Sequence, residues 1–359
     1  MIPRVTLTLD RQALLHNLAV ARTAAGSASL TAVVKSDAYG HGADPVACWL
    51  APHVDCLAVA TVDEGLALRR LGIDCPVLVL SDFVTEDLDR VLEHALQPVI
   101  HGAAQLEVAE SLLSRQGELT LKFDSGMARL GFSLEDLPEL LERFRSHPHF
   151  DRIVLMSHLA NADDLDDPAS LKQIETFDQA TRVSGLRRSL ANSAGLLGWP
   201  GSRFEHVRPG VALYGASPLR QKSARELGLQ AVMTLSTRVL AVRELPAGQR
   251  VGYGGRWQPA QPARIALLAC GYGDGYPRHA RDGTPVGING FTAPLAGCVS
   301  MDTLAVDVTD AGHVTVDQEA VLWGATPAVD EVAAHAGTIA YELFCRLTRR
   351  VHRHEHGDR

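Results

Sequence analysis

Lysine is scarce in this chain. Of its 34 basic residues only four are lysines, Lys35, Lys122, Lys172 and Lys222, so a lysine in an apolar setting stands out. Aromatic residues make up 5% of the chain. No basic stripe interleaves with them, which argues against nucleic acid as a partner. Long hydrophobic runs are missing too. The longest, such as residues 265–270, fall far short of the roughly 20 residues that cross a bilayer, so no membrane partner is expected. The six cysteines, Cys48, Cys56, Cys75, Cys270, Cys298 and Cys345, form no C-x-x-C pair. Zinc and disulfide readings are therefore weak, no metal is expected, and buried reduced thiols acting as small hydrophobes fit better. Met1-Ile2-Pro3-Arg4 opens without the charged and apolar regions of a signal peptide, so a cytoplasmic location is the expectation. Internal repeats and low-complexity linkers are absent. The histidine-rich tail at 352–356 reads as a solvated end rather than a metal site.

What is present is an ordinary globular composition, 46% hydrophobic and 21% charged with a net charge of −8, spread over 359 residues. One core rarely grows beyond roughly 250–300 residues, so two domains are expected. Through the first two-thirds, short apolar runs at 30–35, 56–60, 76–80, 97–100, 119–124, 153–158, 189–192 and 205–208 read as strands. Segments of helical period separate most of them, as at 62–71, 86–95, 103–113 and 168–184. Eight such units point to a parallel (β/α)8 barrel of the TIM type over residues 1–230, with an open doubly wound sheet as the alternative. Beyond residue 230 the runs at 234–243, 263–269, 303–308 and 319–322 are β-type and punctuated by Gly and Pro. They predict a smaller, mostly antiparallel β domain over residues 231–359.

Lys172 and Lys222 lie in polar stretches and read as solvated. Lys35 follows Thr31-Ala32-Val33-Val34 at a predicted strand end, where barrel active sites are built. An amine held against an apolar strand has a lowered pKa and can add to an aldehyde to form a Schiff base. A lysine snorkelling at a strand end is the bland alternative.

The segment Val33-Val34-Lys35-Ser36-Asp37-Ala38-Tyr39-Gly40-His41-Gly42 resembles the cofactor-attachment signature of the alanine racemases. Further motifs of that family recur in order along nearly the whole chain. The resemblance implies an N-terminal barrel, a C-terminal β domain and pyridoxal 5'-phosphate carried as an aldimine on Lys35. It assigns the cofactor phosphate to Tyr39, to Asn192 and Ser193 in a post-strand turn, to the backbone of Gly210 and Val211, and to Tyr341. It places Arg208 against the pyridine nitrogen. An arginine there cannot accept the ring's proton, so the ring should be a weaker electron sink and side reactions such as transamination should be suppressed. His158 matches the residue lying against the ring.

Racemisation removes a proton from one face of Cα and returns it to the other, which calls for two opposed acid–base groups. The resemblance makes Lys35 the base for D-alanine. It makes Tyr272, in Cys270-Gly271-Tyr272-Gly273-Asp274-Gly275, the base for L-alanine. Tyr272 would reach the barrel site of a second subunit, so a homodimer with shared sites is implied. Arg129, in Asp124-Ser125-Gly126-Met127-Ala128-Arg129, would bind the substrate carboxylate with Met301. Lys122 matches a position that many members carry as a carbamylated lysine, whose negative charge places the arginine. The implied role is supply of D-alanine for peptidoglycan or alanine catabolism. The alternatives are a racemase for serine or a broader substrate set, a pyridoxal decarboxylase of similar build, and a non-catalytic cofactor-binding barrel.

Overall fold

The computed structural model describes residues 3–115 and 118–356. Its strands, in chain order, begin with β1 (Val5–Asp10), β2 (Ser29–Val33), β3 (Cys56–Thr61), β4 (Val77–Asp82), β5 (Leu96–Ile100) and β6 (Leu119–Asp124). Next come β7 (Phe132–Ser133), β8 (Ile153–Met156), β9 (Arg187–Ser189), β10 (His206–Val207) and β11 (Met233–Leu245). The last are β12 (Ala263–Leu268), β13 (Pro285–Ile288), β14 (Phe291–Pro294), β15 (Leu304–Asp307), β16 (Glu319–Trp323) and β17 (His352–His356).

Eight of them make the closed parallel barrel, in the order β5-β4-β3-β2-β10-β9-β8-β6, with β6 pairing back to β5. The two-residue β7 hangs on β6. The eight predicted runs all contribute barrel strands, with shifted ends. β2 stops at Val33 and leaves Lys35 beyond the sheet. β9 uses Arg187–Ser189 rather than 189–192. Two arginines look unsuited to a strand. Arg188, however, bonds Asp178 at 2.7 Å and Glu205 at 3.2 Å and lies over the Phe204 ring at 4.2 Å, so its charge is paired and its stem covered.

Helices start where the sequence supplies caps. Thr61 accepts from Glu64 N while the Glu64 carboxylate accepts from Thr61 N, a capping box opening the helix Val62–Arg70. Asp10 caps the helix Arg11–Ala25 through Ala13 N. That helix buries Leu14, Leu18, Ala21 and Ala25 on one stripe. Its fully buried Asn17 donates to Leu213 O and Gln230 O and accepts from Gln230 N, which fastens the helix to the end of the barrel.

Barrel interiors of this type are normally filled by branched apolar side chains. Here the N-terminal half is lined instead by polar groups, among them Thr31, Gln97, Thr120, Ser189 and His206. They surround a cavity of about 470 Å³ that ends under Arg208.

The second sheet is antiparallel except at one edge. β11 is its spine and pairs with β1, β12 and β16. β1 lies inside the stretch assigned to the barrel by sequence, yet it pairs with β11 and, in parallel, with β17. The histidine-rich tail pairs as an edge strand through residue 356, with residues 352–355 exposed to solvent as expected. Trp323 on β16 is fully buried, stacked on Tyr276 with ring centroids 6.1 Å apart. The cysteines are all free; Cys270 is fully buried and Cys56 and Cys75 pack partly buried against the core, as small hydrophobes do, while Cys48 and Cys345 are exposed.

Candidate active site

Lys35 opens a turn of unusual handedness. Ser36, Asp37, Ala38 and Tyr39 have φ between 51° and 55°, and Gly40 follows at 74°. L-residues in this region cost roughly 1–2 kcal/mol each, so four non-glycine residues store on the order of 4–8 kcal/mol. Such strain persists only where the surroundings over-determine it. Here Glu64 accepts from Ser36 N at 2.7 Å, and Asp37 accepts from Ala43 N at 2.8 Å. Arg353 on β17 pairs with Asp37 at 3.0 Å. Gly40 lies so close to the backbone of Phe344 that a Cβ would stand 2.1 Å from the Phe344 carbonyl oxygen. The turn is thus clamped between the barrel and the C-terminal segment.

The turn opens into a cavity of about 200 Å³ at the C-terminal end of the barrel. Lys35, Tyr39, Lys122, Arg129, His158, Asn192, Ser193, Arg208, Gly210, Val211 and Tyr341 all line it. Among the described residues, four of the lining side chains, Lys35, Lys122, Arg129 and Arg208, are cationic, and none is a carboxylate. Burial, with Arg129 and Arg208 adding to it against Glu64, lowers the Lys35 pKa. Burial first, and the same two arginines next, push Lys122 down to about 8. His158 is brought to about 3 by burial and the surrounding cations, so it is neutral at ordinary pH.

Arg208 is held as a hydrogen-bond donor. It donates to Ser157 O at 2.7 Å, to Ser189 Oγ and to Leu190 O, with the His158 ring nitrogen 3.5 Å away. Burial lowers it only to about 10, so it stays cationic. Arg129 sits on a loop shaped by Asp124, whose carboxylate accepts from Gly126 N, Met127 N and Arg129 N. Gln173, buried on the helix Ala169–Thr181, joins this loop to its neighbour. It donates to Ser125 Oγ and His158 O and accepts from Ala160 N.

At the other end of the cavity, Ser193 Oγ accepts from Gly210 N at 2.7 Å and from Ala212 N at 3.3 Å, which leaves its own proton free to donate. Asn192 uses its Oδ1 as a cap, accepting from Gly195 N at 2.9 Å, and keeps its amide donors. The Tyr39 hydroxyl lies over Gly210, where a Cβ would stand 2.5 Å from it. Tyr341 arrives from the C-terminal helix Ala340–Cys345, its ring 5.7 Å from that of Tyr39.

Tyr272 and Met301 lie outside this cavity and are exposed at 36% and 53%. They belong to one surface feature, because Tyr272 N donates to Ser300 O and Gly273 N to Met301 O. A Cβ on Gly271 would stand 2.3 Å from Ser300 O, which explains the glycine there. Buried Asp274 accepts from Gly271 N at 3.0 Å and pairs with Arg350 at 3.1 Å, fixing the turn. The sequence reading did not single out Glu64, Ser157, Ser189 or Gln173. Their only sequence signal was the Thr61/Glu64 capping pattern, since the contacts of the other three are made across the fold.

Residues 9–218 match the alanine racemase N-terminal domain family and residues 232–355 the alanine racemase C-terminal domain family. The chain is 46% identical over 343 residues to a catabolic alanine racemase of Pseudomonas putida, covering 95% of this chain and 96% of that protein. It superposes on the biosynthetic alanine racemase of Pseudomonas aeruginosa with a TM-score of 0.92 at 41% identity, covering 99% of this chain and 100% of that one. A Bartonella henselae alanine racemase with covalently bound pyridoxal phosphate gives a TM-score of 0.86 at 27% identity, covering 99% and 100%. With both domain families matched in order across nearly its whole length, the chain belongs to the alanine racemase family.

Proposed function

We propose that this protein interconverts L- and D-alanine with pyridoxal 5'-phosphate held on Lys35. The observation that carries the reading is the cavity's charge: among the described residues, four cations and no carboxylate line one small space. Glu64 and Asp124 behind the lining offset only part of this charge, and anions that enter balance the rest. A phosphate, a substrate carboxylate and a carbamylated Lys122 supply that charge. The residues also fit the cofactor in shape and chemistry. Lys35 is a desolvated amine, Ser193 and Tyr39 present hydroxyls at the far end, and Gly210 leaves room there. When bound, the cofactor supplies the electron sink that acidifies the substrate's Cα–H.

The protein's own groups do the rest. Arg208 donates hydrogen bonds and keeps its protons, so it offers no acid to the ring. Neutral His158 packs without adding charge. Arg129 holds the substrate carboxylate through its planar fork. Lys35 moves a proton at one face of Cα, the face used for D-alanine. Tyr272 of the partner subunit moves a proton at the other face, used for L-alanine. The exposure of Tyr272 and Met301, away from the cavity of their own chain, supports a homodimer in which each β domain completes the other barrel's site. On this reading residues 1–230 carry the cofactor and residues 231–359 supply the second base, with β1 lending a strand to the latter. No helix among the described residues is long and apolar enough to cross a membrane, and a cytoplasmic enzyme making or consuming D-alanine is consistent with that.

Borohydride reduction followed by peptide mapping tests the cofactor's place, and a label on any lysine but Lys35 refutes it. Racemisation assays on alanine and serine set the substrate. Mixing Lys35→Ala and Tyr272→Phe proteins under subunit exchange tests the shared site. About a quarter of the parent activity should return, because half of the dimers then carry one intact site of two. No recovery, with heterodimers present, refutes sharing.

A further inference from the structure

His41 is fully buried and stands six residues past Lys35, at the close of the left-handed turn. Its Nδ1 lies 3.0 Å from the Tyr39 carbonyl oxygen. A carbonyl only accepts, so Nδ1 carries the proton and Nε2 is the bare nitrogen. Nε2 has no hydrogen-bond partner among the described residues. An orphan acceptor in the interior costs stability, and a leucine or phenylalanine would avoid that cost. The imidazole nevertheless fits its neighbours as a ring. It lies 4.6 Å from Tyr214 and edge-on to Phe344 at 4.7 Å. Tyr214 in turn donates to Val33 O at 2.9 Å, on the last residue of the strand before Lys35. What the histidine adds to an aromatic filler is one donor, aimed at the carbonyl of the last non-glycine residue in the strained turn.

We infer that His41 is a positioning residue: its Nδ1–H locks the Tyr39 peptide in the left-handed turn and so aims both Lys35 and the Tyr39 hydroxyl into the cavity. The inference rests on the proposed function for its consequence, because the turn's two ends carry the amine and the hydroxyl that would hold opposite ends of the cofactor. The hydrogen bond itself stands on the geometry alone. Nothing else at this position offers both an aromatic body and a donor one bond out from Cγ. Asparagine reproduces the donor without the ring, glutamine places its amide where Nε2 was, and phenylalanine keeps the ring without the donor.

The experiment compares His41→Asn, His41→Gln and His41→Phe in the full-length protein. Amide hydrogen exchange over residues 36–42 reads the turn directly and needs no activity. Release of pyridoxal phosphate during dialysis reads the consequence. The expected result is parent-like exchange in His41→Asn, within about threefold, and at least tenfold faster exchange in the other two, the loss of one hydrogen bond. Cofactor release follows the same order. If His41→Phe matches the parent, packing alone suffices and the inference fails. If His41→Asn and His41→Gln behave alike, the Nδ1 donor is irrelevant and it also fails. Should His41→Phe not fold, the Asn–Gln comparison decides alone. A parent protein that holds no cofactor on Lys35 overturns the proposed function, while the exchange data still judge the hydrogen bond.

Discussion

Carbon dioxide should modify Lys122 selectively, and the structure sets the size of the effect. The residue is 7% exposed and faces Arg129, Arg208 and Lys35, with Asp124 the one neighbour that favours its charged form. Burial and those cations bring its pKa from 10.5 to about 8. At pH 7.5 an ordinary lysine is ~0.1% neutral, whereas an amine titrating near 8 is about one-quarter neutral, a gain of roughly two-hundred-fold. Only the neutral amine attacks carbon dioxide. The new N–C bond forms as one proton leaves to solvent, and a carbamate remains. The side chain thereby changes from +1 to −1 beside two arginines, which favours the product. The holoenzyme in 13C-labelled bicarbonate should give a carbamate resonance that is absent from Lys122→Ala. The resonance should grow as pH rises from 7 to 9 and vanish below about pH 6, where too little neutral amine remains. Lys122→Arg stays cationic at every pH and should repel Arg129, raising the KM for alanine at least tenfold, or about 1.4 kcal/mol. The reasoning is refuted if no carbamate resonance appears between pH 7 and 9 and Lys122→Arg keeps the parent KM.

Three further outcomes are expected. Gly40→Ala places a methyl 2.1 Å from the Phe344 carbonyl oxygen at a φ of 74°, which should destabilise by about 2–5 kcal/mol. Gly72→Ala has a similar φ of 77° and nothing within 4 Å, so it should cost only about 1 kcal/mol; urea unfolding of the pair separates clash from backbone strain. Acid should weaken the fold before its carboxylates titrate. His41 and His158 are each lowered to about 3, so the unfolded chain takes up protons near pH 6.5 that the folded chain refuses, and stability falls as pH drops through that window. From pH 6 to 5 the two together should cost about 2–3 kcal/mol, and His158→Asn should remove close to half of that slope in urea titrations. Asp124→Ala frees three backbone N–H groups of the Arg129 loop. Its KM for alanine should rise more than tenfold while borohydride still labels Lys35. An unchanged KM would show that the loop holds its shape without the carboxylate.

The barrel was legible because its signal is local. Runs such as Leu57-Ala58-Val59 and Leu119-Thr120-Leu121 are apolar over a strand's length, and buried parallel strands need nothing more elaborate. The same property misplaced β9. Leu190-Ala191 looks like strand interior, while Arg187 and Arg188 look like a loop until Asp178, Asp151, Glu118 and Glu205 are brought to them by the fold. β1 read as part of the barrel segment because sequence order says nothing about which sheet an amphipathic strand joins. The tail's pairing was not legible because its residues are charged and exposed, and an edge strand needs only backbone pairing.

The sequence by itself determined which lysine to watch, since Lys35 lies within a ten-residue signature and most of its basic companions are arginine. It also determined the order of the eight barrel strands and most of the polar residues that line the cavity. Only the tertiary structure decided that four cations share one cavity without a carboxylate, and that Tyr341 crosses from the C-terminal helix to join them. It alone set Tyr272 on an outer surface and wound the residues after Lys35 left-handed. Periodicity and motif are properties of neighbours along the chain. Charge balance, backbone strain and exposure are properties of neighbours in space, and they exist only once the strands have closed.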